Sequence, residues 1–175
     1  MQEPEVSLRI AMYYIESGKT GVDVSVSIDG AHVRTRDIVH FDLIGFMHKN
    51  GYAKCDGDST RWQGEYQADN SRPKIIVSSK PGVGDVTIAL KDGMILYVES
   101  KKFKSGSGGE YPAMREAIGQ LMTSCPDDSN VVPVVAVPYS VKSETLARDW
   151  SCNTRIRTSG IHFMLVRDSG NIDLI

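Results

Sequence analysis

Cysteine is scarce and scattered in this chain. Cys55, Cys125 and Cys152 are odd in number and far apart, with no CxxC and no neighbouring histidine pair. That excludes a disulfide scaffold or a structural zinc site and fits a reducing, cytoplasmic setting. Long apolar runs are missing too: nothing approaches the roughly 18 residues that a membrane helix needs. The opening MQEPEVSLRIAMYYIESGK has neither a basic leader nor a cleavage-type apolar run, so no secretion signal is expected. Positive charge is not in excess, with 20 Lys and Arg against 22 Asp and Glu. Any nucleic-acid surface must therefore be a local patch, because phosphate neutralisation supplies most non-specific affinity. The four histidines show no metal-binding or base–nucleophile spacing, and no GxSxG, HExxH or catalytic-cysteine signature occurs. Gly18-Lys19-Thr20 has the ending of a phosphate-binding loop, but Tyr13 stands where the leading glycine is required. Gly106, Gly108 and Gly109 lack the GxGxxG spacing of a dinucleotide site.

What is present is the patterning of one α/β domain over residues 1–175, with a mixed central sheet flanked by helices. Residues 4–17 predict an amphipathic helix stopped by Gly18. Val22, Val24, Val26 and Ile28 alternate with polar residues as in a half-buried strand, and Asp29-Gly30 predicts a hairpin turn into 31–36. Residues 37–50 predict a second helix closed by Asn50-Gly51, and 55–72 a long loop around Trp62 and Tyr66. Three β-rich runs follow, Lys74–Ser79, Val83–Leu90 and Met94–Lys101. After a Gly/Ser loop (Ser105 to Gly109), a helix begins near Pro112 with Met114, Ala117, Ile118, Leu121 and Cys125 on its buried side. Val131–Val137, continuously apolar, predicts a strand covered on both faces. A helix over 142–150 and strands over 161–167 and 171–175 complete the chain.

The stretch from 85 to 101 carries chemistry. If Lys91-Asp92-Gly93 is a three-residue turn with Gly93 left-handed, Leu90 pairs with Met94 and Asp85 falls opposite Glu99. Side chains two apart share a face, so Lys101 joins Glu99 there. Directly opposed Cβ atoms lie about 4.5–5.5 Å apart, so two carboxylates and an amine converge. A two-residue Asp-Gly turn would slip the register and put Asp85 on the other face. Facing carboxylates need compensation, which a hard divalent cation such as Mg²⁺, or Mn²⁺ in its place, supplies. Lys101 could then help deprotonate an attacking water or oppose charge developing on a phosphate. The bland alternative is a solvated strand face with a Glu99–Lys101 salt bridge; the apolar neighbours Leu96 and Val98 argue against it.

Gly84-Asp85, thirteen intervening residues and then Glu99-Ser100-Lys101 resemble the motif of the PD-(D/E)XK nuclease superfamily, which has a restriction-endonuclease-like fold. The predicted helix–strand–strand–strand–helix–strand order over about 37–138 is similar to that superfamily's core. The resemblance implies that Asp85 and Glu99 are metal ligands, with the Ser100 carbonyl as a further ligand and Lys101 the catalytic lysine. Gly84 stands where the family name has proline. Arg115-Glu116-Ala117-Ile118-Gly119-Gln120-Leu121 resembles a glutamine-bearing helix of some members, which places Gln120 at the active site; a surface glutamine is the alternative. The family's further acid, on the helix before the first core strand, is expected at Asp42, with Asp37 and Glu65 as alternatives.

Lys101, Lys102, Lys104 and Arg115 surround the Gly/Ser loop and form the expected phosphate-contacting patch; Arg34, Arg36, Arg155 and Arg157 are further candidates. The function expected is Mg²⁺-dependent DNA cleavage, endonucleolytic by expectation. A chain of this size without a separate DNA-reading domain points to a homodimer or to a subunit of a larger defence, repair or recombination complex. The rival is a catalytically inactive nuclease-fold protein that binds DNA or a protein partner. An unrelated α/β module with a chance Glu-x-Lys triplet is a third reading.

Overall fold

The computed structural model describes residues 1–81, 83–103 and 108–175. Helix α1 (Glu3–Glu16) opens the chain, with Pro4 and the acids Glu3 and Glu5 in its first turn, where a missing N–H is harmless and negative charge meets the helix dipole. It stops at Ser17, and Gly18 takes the left-handed conformation beyond it (φ 66°). There follow β1 (Val24–Ser27), α2 (Gly30–Val33), β2 (Arg34–Thr35), β3 (Ile38–Val39), α3 (Leu43–Lys49), β4 (Ala53–Lys54), β5 (Gly64–Gln67) and β6 (Ile75–Ser78). The second half runs β7 (Val86–Ala89), β8 (Ile95–Ser100), α4 (Glu110–Ser124), β9 (Val131–Pro138), α5 (Val141–Ser151), α6 (Thr154–Thr158), β10 (His162–Val166) and β11 (Ile172–Leu174).

Among the described residues nine strands form one mixed sheet in the order β11-β10-β9-β8-β7-β1-β6-β5-β4, with β2 and β3 as a separate small hairpin. β9 runs parallel to both β8 and β10, and β1 runs parallel to β6; β7 is antiparallel to β1 and to β8. No helix among these residues is long and apolar enough to cross a membrane.

Coverage of the sheet is unequal, and this creates the site. One face is covered throughout its centre: Val24 and Val26 of β1, Val86 and Ile88 of β7, and Leu96 and Val98 of β8 pack with Leu8, Ile10 and Ile15 of α1. On the other face, Tyr97, Val135, Val137, Phe163 and Leu165 lie under Met114, Ala117 and Leu121 of α4 and Ala147 of α5. That second layer ends at β8. Beyond it β1 and β7 show alternating burial, with Ser25, Ser27 and Thr87 on the uncovered side. Continuous apolar sequence in β9 and alternating sequence in β1 thus record how many faces each strand buries.

Several expectations need correction. Asp29-Gly30 is not a hairpin turn: Asp29 caps the short helix α2, accepting the Ala31 N–H at 2.9 Å, and β1 pairs with β6 and β7 instead of 31–36. The helix expected over 37–50 spans only Leu43–Lys49, because Asp42 is its N-cap and 38–39 belong to the small hairpin. The expected loop 55–72 contains β5, and α6 was not foreseen. Consequently the helix in front of the first central strand is α1, and the stretch expected to open the core at residue 37 lies inside an excursion between β1 and β7. Of the Gly/Ser loop, Ser105–Ser107 lie outside the described residues, as does Lys104.

Candidate active site

The turn between β7 and β8 sets the register. Gly93 is left-handed (φ 91°), its N–H donates to the Leu90 carbonyl at 3.1 Å, and the Leu90 N–H donates to the Met94 carbonyl at 2.8 Å. Val86 pairs with Val98 and Thr87 with Tyr97, as the three-residue turn requires. One step further, Asp85 stands opposite Glu99 in a non-hydrogen-bonded position, the kind that brings facing residues closest together. β7 leaves the ladder here. The Ser100 N–H donates to Asp85 Oδ2 at 2.7 Å, while the Asp85 carbonyl accepts the Ser27 N–H of β1 at 2.8 Å. Asp85 is therefore tied on both sides by backbone donors.

Gly84 permits this path. A Cβ at that position would lie 2.8 Å from the Tyr97 ring, which is itself buried under α4. Any side chain at this position would meet the tyrosine ring. Gly84→Ala should lower unfolding free energy by about 1–3 kcal/mol, the usual range for overpacking. In urea titrations Tyr97→Leu added to it should recover most of that loss; no recovery would mean that the crowding partner is not Tyr97.

Glu99 and Lys101 are each 7% exposed on the face shared with Tyr97, and their side chains form an ion pair of 3.0 Å. Lys101 Nζ is also 3.8 Å from Glu3 Oε1, which in turn lies 3.4 Å from His32 Nδ1. Two carboxylates thus flank one ammonium. Burial, and then the facing Glu99 charge, push the Asp85 carboxyl from its ordinary 3.8 up to about 7. Burial likewise raises Glu99, outweighing the pull of Lys101. For Lys101 burial works against the charge, but Glu3, Glu99 and Asp85 overcome it and hold the ammonium above its ordinary range.

Two joined depressions open over these groups. One, of about 800 Å³, runs from Asp85 and Glu99 over Ser27 and Tyr97, between Gln120 and Thr123 of α4 and Arg34 and Trp62 of the excursion. The other, about 560 Å³, runs past Glu3, Lys101 and Lys102 to Glu116. Asp29, Asp85, Glu99 and Gln120 line both, so the carboxylate pair sits where the two meet. The floor is acidic and Arg34, Lys80 and Lys102 stand along the walls.

Asp85, Glu99, Lys101 and Gln120 are thus brought together, and Lys102 reaches the rim, its Nζ 3.1 Å from Gln2 Oε1. Ser100 is fully buried; its Oγ faces the α1 layer with no hydrogen-bond partner among the described residues. Arg115 is exposed and lies 5.5 Å over the Tyr111 ring, outside both depressions. Of the acids expected at the third position, Asp42 caps α3 through the Gly45 N–H (3.0 Å), Glu65 pairs with Lys74 (2.7 Å) and Asp37 is on the exposed hairpin. The acid that reaches the site is Glu3. An acid in the first turn of the helix that leads into the first alternating strand was the available signal. Asp29 was missed as well, and its role as a helix cap gave no signal for it.

Among the described residues, no group of three or more His, Cys, Asp or Glu side chains is gathered as a metal ion would require. The Asp85–Glu99 pair is a smaller set of hard oxygen donors, and it suits Mg²⁺, which commonly takes one or two carboxylates and completes its shell with water and phosphate. Compared with known proteins, the chain matches no family model, no curated protein and no solved structure.

Proposed function

We propose that the chain is a metal-dependent DNA nuclease of restriction-endonuclease-like fold. The observation that carries this reading is the convergence of Asp85, Glu99 and the buried Lys101 at the junction of two open depressions. The succession α1, β1, β7, β8, α4, β9 supports it, since it follows helix–strand–strand–strand–helix–strand with the excursion set between β1 and β7.

Asp85 and Glu99 would hold Mg²⁺ or Mn²⁺, which would supply a Lewis acid for the phosphate and acidify a water. Held as an ammonium by three carboxylates, Lys101 is suited to oppose charge developing on the phosphate, not to accept a proton. Glu3 positions that ammonium, and Gln120 at the rim offers an amide donor to the substrate backbone.

Incubation with supercoiled, linear, branched and single-stranded DNA should give cleavage in Mg²⁺ or Mn²⁺ and none in EDTA. Glu99→Ala should abolish it. Cutting that ignores EDTA, or that survives the substitution, rejects the reading. A catalytically inactive DNA- or protein-binding descendant is the second reading, favoured by the lack of a three-ligand group among the described residues. It requires DNA binding without cleavage in the same assay.

A further inference from the structure

The excursion carries an element that the site chemistry does not use. β2 and β3 form a two-stranded hairpin in which Arg34 pairs with Val39 and Thr35 with Ile38, and every residue from 34 to 40 is exposed. Ile38 is 63% and Val39 58% exposed, although β-branched apolar side chains ordinarily seek cover. At the tip, Arg36 has φ 53°, the one non-glycine with positive φ among the described residues. Tight hairpin turns give that conformation to glycine or asparagine, so an arginine there is a choice against local stability.

The hairpin is held in place. His40 and Phe41 both donate backbone N–H groups to the carbonyl of buried Val33, and Arg34 Nε donates to the Arg36 carbonyl at 2.8 Å. His40 Nε2 is 3.1 Å from Thr35 Oγ1. Its base continues into the site, because Arg34 lines the larger depression with Asp85 and Glu99, and His32 of α2 meets Glu3.

We propose that the β2–β3 hairpin is the element that grips duplex DNA beside the cleft. Arg34 and Arg36 meet phosphates, and Ile38 and Val39 lie against the groove edge. The proposal rests on the nuclease reading for its choice of polymer. Charge separates DNA from a second copy of the chain: a two-fold pairing of this surface would set Arg34 and Arg36 against themselves, with only Asp37 to offset them. Phosphates meet the same two guanidinium groups favourably. Exposed apolar side chains among basic ones are also what groove-edge and wedge contacts use.

The test is fluorescence anisotropy of the full chain with a labelled duplex in EDTA, across a salt series. Arg34→Ala with Arg36→Ala should weaken binding about ten- to a hundred-fold and reduce the salt slope by about 2, one for each guanidinium taken away from a phosphate. Ile38→Ser with Val39→Ser should weaken it about five-fold or more with the slope unchanged, since no charge is removed. Arg36→Gly should bind more weakly while melting no lower than the parent, which separates a weaker grip from a damaged fold. The proposal is overturned if both double variants bind within two-fold of the parent, if the parent binds no duplex, or if the parent sediments as a dimer that Ile38→Ser with Val39→Ser dissociates. Hydrolysis of a small phosphodiester such as bis(p-nitrophenyl) phosphate reports on the nuclease reading alone, because it needs no hairpin. The parent and the Ile38→Ser with Val39→Ser variant, whose changes lie outside both depressions, should hydrolyse it equally.

Discussion

Lys101→Met should cost the protein both its activity and much of its stability. Its ammonium lies 3.0 Å from Glu99 and 3.8 Å from Glu3, and the Lys101 and Glu99 side chains are each only 9% exposed. Removing one partner of a buried ion pair leaves an uncompensated charge, at a cost of about 3–5 kcal/mol. At about 2–4 °C per kcal/mol for a chain of this size, the melting temperature should fall by roughly 10 °C. Cleavage should fall by about 100-fold or more, the effect of losing one charged donor to a developing oxyanion. Adding Glu3→Gln should restore part of the stability and none of the activity, because it removes an orphaned carboxylate without replacing the ammonium. The stability deficit should shrink as pH falls, since Glu99, raised by burial, then takes up a proton. Calorimetry of the single and double variants at two pH values decides the matter; a Lys101→Met protein as stable as the parent would show that the ion pair contributes nothing.

The second large effect concerns pH. Asp85 has an ordinary value of 3.8 and a folded value of about 7. Between those values the folded chain binds the proton more tightly than the unfolded chain does. Stability in EDTA is therefore highest near the lower value and declines as pH rises, by up to about 1.4 kcal/mol per unit, until Asp85 is ionised in both states. Asp85→Asn should flatten the decline and melt several degrees above the parent at neutral pH. Mg²⁺ should act in the opposite sense, raising the parent's melting temperature most where the pair is fully ionised and leaving Asp85→Asn nearly unmoved. Melting curves with EDTA or Mg²⁺ from about pH 5 to about pH 8 would show it; a parent whose stability in EDTA rises across that window would contradict the assignment.

The strand pair that bears the site was legible because its turn is local. Lys91-Asp92-Gly93 gives a single left-handed glycine, and every pairing out to Asp85 and Glu99 follows by counting. Helix α4 and strands β9 and β10 were legible for a similar reason, their apolar periods matching the layers they bury. The excursion was not. Asp29 accepts the N–H two residues on, a local arrangement that opens a turn or a helix equally well. The neighbour of β1 is β6, about fifty residues away in sequence and parallel, and nothing local announces such a partner. Assigning 37–50 to the leading helix then put the expected further acid at Asp42, and Glu3 lay one residue outside the helix expected over 4–17.

The two ends of the excursion touch. Ser27 Oγ donates to the Lys80 carbonyl at 2.6 Å, and the Ile28 N–H donates to the Ser78 carbonyl at 2.8 Å. The segment thus begins and ends at one place, and between those ends it supplies β6, β5 and β4, which continue the sheet beyond β1. Asp85, Glu99, Lys101 and Gln120 all lie outside that segment, whereas Arg34, Arg36, Ile38, Val39 and Trp62 lie inside it. Within that segment the exposed stretch from 34 to 40 is free of the core, whereas Val33, Leu43, Met47, Tyr66, Ile75 and Val77 pack with β7 and β8, so the hairpin alone is the part that can change without disturbing the strands that carry Asp85 and Glu99.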